Sequence, residues 1–181
     1  EVLSEDDALE AKRLITSIID NIETVITGKR EQVELVVLCL LAEGHVLIED
    51  LPGTGKTSLV SALAKTIDCG YSRIQFTPDV MPSDVSGFSI FNQKSGEFEF
   101  RKGAAMSNIV LADEINRASA KTQSSMLEIM EERQVTVDSH TYRMEAPFMV
   151  LATQNPIDSL GTYQLPEAQI DRFMIKMSMG Y

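Results

Sequence analysis

The chain has 181 residues, enough for a single domain whose core needs no disulfide or metal staple. An apolar content of 44% excludes wholesale disorder. A formal charge of -11, from 16 basic and 27 acidic residues, argues against a generic binder of nucleic acid or anionic membrane.

"SEDDALEAKRLITSIIDNIETVI" opens the ordered pattern with Ser4 as an N-cap and acids in the first turn. Ile15, Ile18, Ile19 and Ile22 follow at helical spacing. Gly28 breaks that pattern, and "EQVELVVLCLLAEG" reads as a second helix ending at Gly44. "HVLIED" is a strand, apolar through its middle as expected for one covered on both faces. A glycine-rich loop leads into the helix "KTSLVSALAKTI", and "YSRIQF" is the next strand. "TPDVMPSDVSGF" reads as loop and short helix, and "FSIFNQKSGEFEFRKG" as a β-hairpin turning near Ser95 and Gly96.

"NIVLADE" is a third strand, "SAKTQSSMLEIMEERQ" a helix and "VTVDSHTYRM" a second hairpin. "FMVLATQN" is a fourth strand, "PEAQIDRF" a short helix and "FMIKMSM" a fifth strand with a core role for its methionines. Strands alternating with helices predict a parallel α/β sheet, interrupted by two hairpins.

Cys39, in an apolar run, reads as a buried reduced thiol, and Cys69 sits near a helix end. Neither has metal-ligand spacing. His45 reads as structural and His140 as exposed. No apolar run reaches the length of a membrane span, and the acidic start has no signal-peptide layout, so a cytoplasmic protein is expected.

"EDLPGTGKTSL" carries the chemistry. A phosphate cradle reads G-x-x-x-x-G-K-[ST]. Gly55, Lys56 and Thr57 fit, but Asp50 stands at the first glycine position. A strand-loop-helix holds phosphate by aiming backbone N–H groups and a helix N-terminus at its oxygens. Gly53 and Gly55 allow close backbone approach, Lys56 supplies a cation, and Thr57 offers a hydroxyl to Mg²⁺. Leu51, Pro52, Thr54 and Ser58 complete the expected cradle, with the Asp50 carboxylate turned away from phosphate.

"IVLADE" ends a buried strand on Asp113 and Glu114, at the sheet edge where ligands bind. Asp113 suits Mg²⁺ held through water, and Glu114 suits activation of an attacking water. The other reading is a charge pair leaving the strand into solvent. Asn155 ends the next strand and either positions water at the γ-phosphate or caps a turn. Arg172 either reaches a neighbouring subunit's γ-phosphate or pairs locally with Asp171 or Glu167.

Together "GHVLIEDLPGTGKTSL", "IVLADEINRASAKTQSSMLEIMEERQVTV", "VLATQNPID" and "LPEAQIDRFMIK" resemble the MoxR family of AAA+ ATPases. The resemblance implies a P-loop NTPase fold with a five-stranded parallel sheet flanked by helices. It places one hairpin as the helix-2 insert and the other before sensor 1. It makes the glycine loop Walker A, Asp113 and Glu114 Walker B, Asn155 sensor 1, and Arg172 the arginine finger given in trans. "VITGKRE" resembles the adenine-flanking segment, which adds Val25, Ile26 and Gly28. The implied cofactors are ATP and Mg²⁺. The implied partners are further copies in a hexameric ring and client protein complexes, with von Willebrand factor A domain proteins among them.

AAA+ proteins carry a helical lid after the last strand. Residues 1–181 are therefore expected to be one α/β core without it. Two other functions fit the same residues. One is a DNA-acting motor of the helix-2-insert group, using Lys94, Arg101 and Lys102. The other is a nucleotide-gated scaffold that does not hydrolyse. No N-K-x-D motif for reading guanine occurs.

Overall fold

The computed structural model describes residues 4–49, 53–155 and 162–180. Asp50, Leu51, Pro52 and Pro156 lie outside the described residues. Five parallel strands form the central sheet: β1 (Val46–Glu49), β2 (Tyr71–Gln75), β5 (Ile109–Asp113), β8 (Met149–Gln154) and β9 (Ile175–Met177). Their order is β2-β5-β8-β1-β9.

Successive side chains of a strand point to opposite faces, so the three inner strands feed two cores. Val46, Ile48, Ile109, Leu111, Met149 and Leu151 face α1 (Glu5–Glu23), α2 (Arg30–Leu41) and α3 (Lys56–Thr66). Leu47, Val110, Ala112, Val150 and Ala152 face α5 (Ala120–Glu132), with Met126, Leu127 and Met130 against them. Both faces are therefore covered, which is why these strands read as continuous apolar runs. The edge strand β2 alternates instead, burying Ile74 between Arg73 and Gln75.

α1 starts with a reciprocal cap: Ser4 Oγ accepts from the Asp7 amide, and Asp7 Oδ2 accepts from the Ser4 amide at 3.2 Å. At the end of α2 the structure corrects the sequence reading. The helix stops at Leu41, short of Gly44, and the left-handed residue after it is Glu43, at φ 56°. Gly44 is required for a different reason. A Cβ there would lie 2.8 Å from Met174 Cβ and 2.9 Å from Cys39 Sγ. Met174 itself is exposed and Met179 is fully buried, so the methionines of the tail are only partly core.

The short helix α4 (Pro82–Ser86) leads to the first hairpin, β3 (Gly87–Asn92) with β4 (Glu97–Lys102). The second hairpin pairs β6 (Gln134–Val137) with β7 (His140–Arg143). Phe100 stacks on Tyr142 at 3.9 Å between ring centroids, which ties the hairpins to each other.

His45 joins three elements from a buried position. Its Nε2–H donates to the Met130 carbonyl at 3.0 Å, and its Nδ1 accepts from the Val150 amide at 3.0 Å. Burial, and secondarily the charge of Arg133, push its pKa below the ordinary imidazole value. The unfolded chain then takes up this proton near pH 6.5 while the folded chain resists it. Stability from this group is full above that pH and is lost as pH falls through the window below it. The urea midpoint is expected to drop between pH 7.5 and pH 5.5, and to drop less in His45→Gln. Equal drops in both proteins would contradict the assignment.

Candidate functional site

The chain leaves β1 toward one edge of the sheet and leaves β8 toward the other, because β1 lies between β8 and β9. In open parallel sheets the crevice beyond the carboxyl ends at such a reversal is where ligands bind. A cavity of about 380 Å³ lies here. Gly53, Thr54, Gly55, Lys56, Thr57 and Ser58 line one side of it. Asp113, Glu114 and Asn155, from the ends of β5 and β8, line the other.

Gly53 and Gly55 have φ of 91° and 86°, angles that favour glycine. A Cβ on either would meet no protein atom within 4 Å. Backbone angle rather than crowding selects glycine, and the cradle is open where a phosphate has to approach. Gly55 is the N-cap of α3, so the helix dipole points its positive end into the cavity.

The acidic side is held by donors from three elements. The Thr153 hydroxyl, almost fully buried, donates to Asp113 Oδ1 at 2.6 Å and accepts from the Glu114 amide at 2.8 Å. Arg73 Nη2 donates to Asp113 Oδ2 at 2.6 Å. Gln75 Nε2 and Arg117 Nη1 both donate to Glu114 Oε2, at 3.1 Å and 2.9 Å. Glu114 itself is left-handed, at φ 55°. A non-glycine residue held in that region is strained, and such strain gathers at functional sites. It turns the chain sharply from β5 into a 3-10 turn, Ile115–Arg117.

Thr153 is the hinge pin of this arrangement. Thr153→Val removes its hydroxyl and leaves a half-buried amide and a carboxylate oxygen each short of a partner. The expected loss is about 1–3 kcal/mol of stability, measured by urea unfolding. A loss near zero would show that the relay does not bear on the fold.

Other site residues from the sequence lie elsewhere. Ile26 belongs to the core beside Ile22 and Val33, Val25 is exposed, and neither they nor Gly28 line the cavity. Arg172 is also absent from its lining. The local pairing expected of it with Asp171 or Glu167 is corrected: Arg172 Nη1 binds Glu131 Oε2 at 2.6 Å and the Leu127 carbonyl at 3.0 Å. Arg73, Gln75 and Thr153 line the cavity and were missed in the sequence. The available signal was polar residues alternating with Ile74, and a lone threonine closing "VLAT".

Among the described residues no cluster of three or more His, Cys, Asp or Glu stands ready to hold a metal ion. Mg²⁺ characteristically takes one or two protein oxygens and completes its shell with substrate phosphates and water. The Thr57 hydroxyl and the Asp113 carboxylate, at one cavity with the phosphate cradle, fit that mode. No described helix is long and apolar enough to cross a membrane.

Residues 45–175 match the ATPase family associated with various cellular activities (AAA). The chaperone MoxR1 of Mycobacterium tuberculosis is 48% identical over 88% of this chain and 42% of its own length. The chain belongs to the MoxR family of AAA+ ATPases. The YeaC protein of Bacillus subtilis is 58% identical over 93% of the chain and 52% of its own length. The chain thus spans about half the length of the curated relatives it matches. A crystal structure of a candidate ATPase from Cytophaga hutchinsonii superposes with a TM-score of 0.88 at 47% identity. That match covers 98% of this MoxR-family chain and 54% of the other. The fold is accordingly the α/β P-loop fold of AAA+ proteins, carrying both hairpins.

Proposed function

We propose that residues 1–181 form the nucleotide-binding core of a protein that hydrolyses Mg-ATP in order to remodel client protein complexes. The observation that carries this reading is the convergence of Gly53–Ser58 with Asp113, Glu114 and Asn155 on one cavity. Amides of the loop would bind the phosphates, helped by Lys56. Thr57 and Asp113 would hold Mg²⁺, Asp113 through water. Magnesium, when bound, neutralises charge on the β and γ phosphates. Glu114 would take a proton from the attacking water as the bond between the γ-phosphorus and its bridging oxygen breaks. Asn155 would orient that water. Leu51 and Pro52 would complete the cradle, and Val25, Ile26 and Gly28, outside the phosphate cavity, would flank adenine beyond it.

Arg172 lies outside the cavity of its own chain, which suits service in a neighbour's site. The working assembly is then a ring, a hexamer by family resemblance, in the cytoplasm. The hairpin β3–β4 exposes Phe88, Ile90, Phe91 and Phe98, an apolar surface suited to a client protein. Its Glu97 and Glu99 lie among its basic residues, which disfavours a DNA-acting motor. The name of the M. tuberculosis relative supports the chaperone reading. Client complexes, including partners with von Willebrand factor A domains, follow from the family resemblance.

Phosphate release by the full-length protein tests the reading. Magnesium-dependent release from ATP is expected. No release above the protein-free blank, with or without candidate clients, would contradict it.

A further inference from the structure

Arg73 stands in the cavity with no role in the scheme above. Its position follows from the sheet: β2 pairs with β5, placing Arg73 opposite Leu111 and Gln75 opposite Asp113. From there Nη2 reaches Asp113 Oδ2 at 2.6 Å and Gln75 Oε1 at 2.7 Å. The Gln75 amide continues to Glu114 Oε2 at 3.1 Å. One guanidinium therefore holds one acidic residue directly and the other through an amide.

The other oxygen of Asp113 accepts the Thr153 hydroxyl at 2.6 Å. The donor is nearly fully buried, so that bond is the more firmly fixed of the two. Oδ2 is the oxygen whose partner is half exposed and lies on a flexible stem. A metal held by Asp113 through water would need one carboxylate oxygen for that water, and Oδ2 is the less firmly engaged of the two. Two cations competing for one carboxylate oxygen weaken each other's hold, and that coupling is reciprocal.

We propose that Arg73 is a positioning residue that neutralises Asp113 in the metal-free site and competes with the metal for Asp113 Oδ2. This rests on the nucleotide reading given above. Arginine suits the task because its planar fork holds carboxylate and amide together.

ADP binding to the full-length protein, titrated calorimetrically with excess Mg²⁺ and again in EDTA, measures this without any hydrolysis. The quantity read is the ratio of the two affinities. In Arg73→Met competition is gone, and without metal the Asp113 carboxylate stands uncompensated in the cavity that takes the phosphates. Affinity in EDTA is expected to fall, and the gain from magnesium is expected to rise about three- to tenfold. Arg73→Lys keeps the charge but not the fork, and should lie between. It also carries the test if the methionine variant fails to fold. A magnesium ratio unchanged from the parent in folded variants would overturn the proposal while leaving the nucleotide site standing. A parent protein that binds no ADP in either condition would overturn both.

Discussion

Glu114→Gln is expected to bind Mg-ATP as the parent does and to hydrolyse it about 10²- to 10⁴-fold more slowly, the range spanned by loss of a positioned base. The amide keeps the size of the carboxylate and can still accept from Gln75 and Arg117, whose donors converge on Oε2. It cannot take the proton. The left-handed backbone of residue 114 and the hydrogen bond that its backbone N–H donates to Thr153 Oγ1 do not depend on the side-chain charge. Binding and turnover should therefore separate cleanly. Parent-like phosphate release by this variant of the full-length protein would remove Glu114 from the role of base.

Lys56→Ala is expected to fail earlier, at binding. Lys56 opens α3 and lines the cavity between Gly55 and Thr57, where the loop amides supply only partial charges. A hydrogen bond to a charged group contributes about 1.5–3 kcal/mol, so ADP affinity should drop roughly ten- to a hundredfold. The fold should be unaffected, since the inner strands and their two cores do not include this side chain. An affinity within twofold of the parent would mean that the amides alone carry the phosphates. A collapsed thermal transition would mean that Lys56 has a structural role instead.

How much of this was legible beforehand depends on the range of the interaction. Local patterns carried the elements: the capped start of α1, the apolar runs of β1, β5 and β8, and the turn at Gly96, where the structure has φ 73°. The phosphate loop and the acidic strand end were also legible, because each lies in one contiguous stretch joined to a strand. What could not be read was pairing between distant segments. Arg73 and Gln75 become site residues only because β2 lies beside β5, an adjacency the chain order does not dictate. Thr153 matters because β8 lies on the other side of β5. The partner of Arg172 was missed for the same reason: Glu131 belongs to α5, some forty positions earlier in the chain.

Gly44 shows a subtler limit. Glycine near a helix end usually signals a left-handed cap. Here Glu43 adopts that conformation, and the glycine is needed because Met174 and Cys39 pack against it. Sequence gives the residue type that both explanations require and cannot choose between them. The hairpins pose the same difficulty in reverse. Their strands were readable, but the stacking of Phe100 on Tyr142 that joins them is a tertiary fact.

The central claim is that the backbone from Gly53 to Thr57 cradles a polyphosphate opposite Asp113 and Glu114. A crystal structure of the full-length protein grown with ADP and Mg²⁺ tests it most directly. The account predicts diphosphate density against those amides, with Thr57 and Asp113 as the residues that hold the metal. Nucleotide density at any other surface, with this cavity left empty, would contradict it.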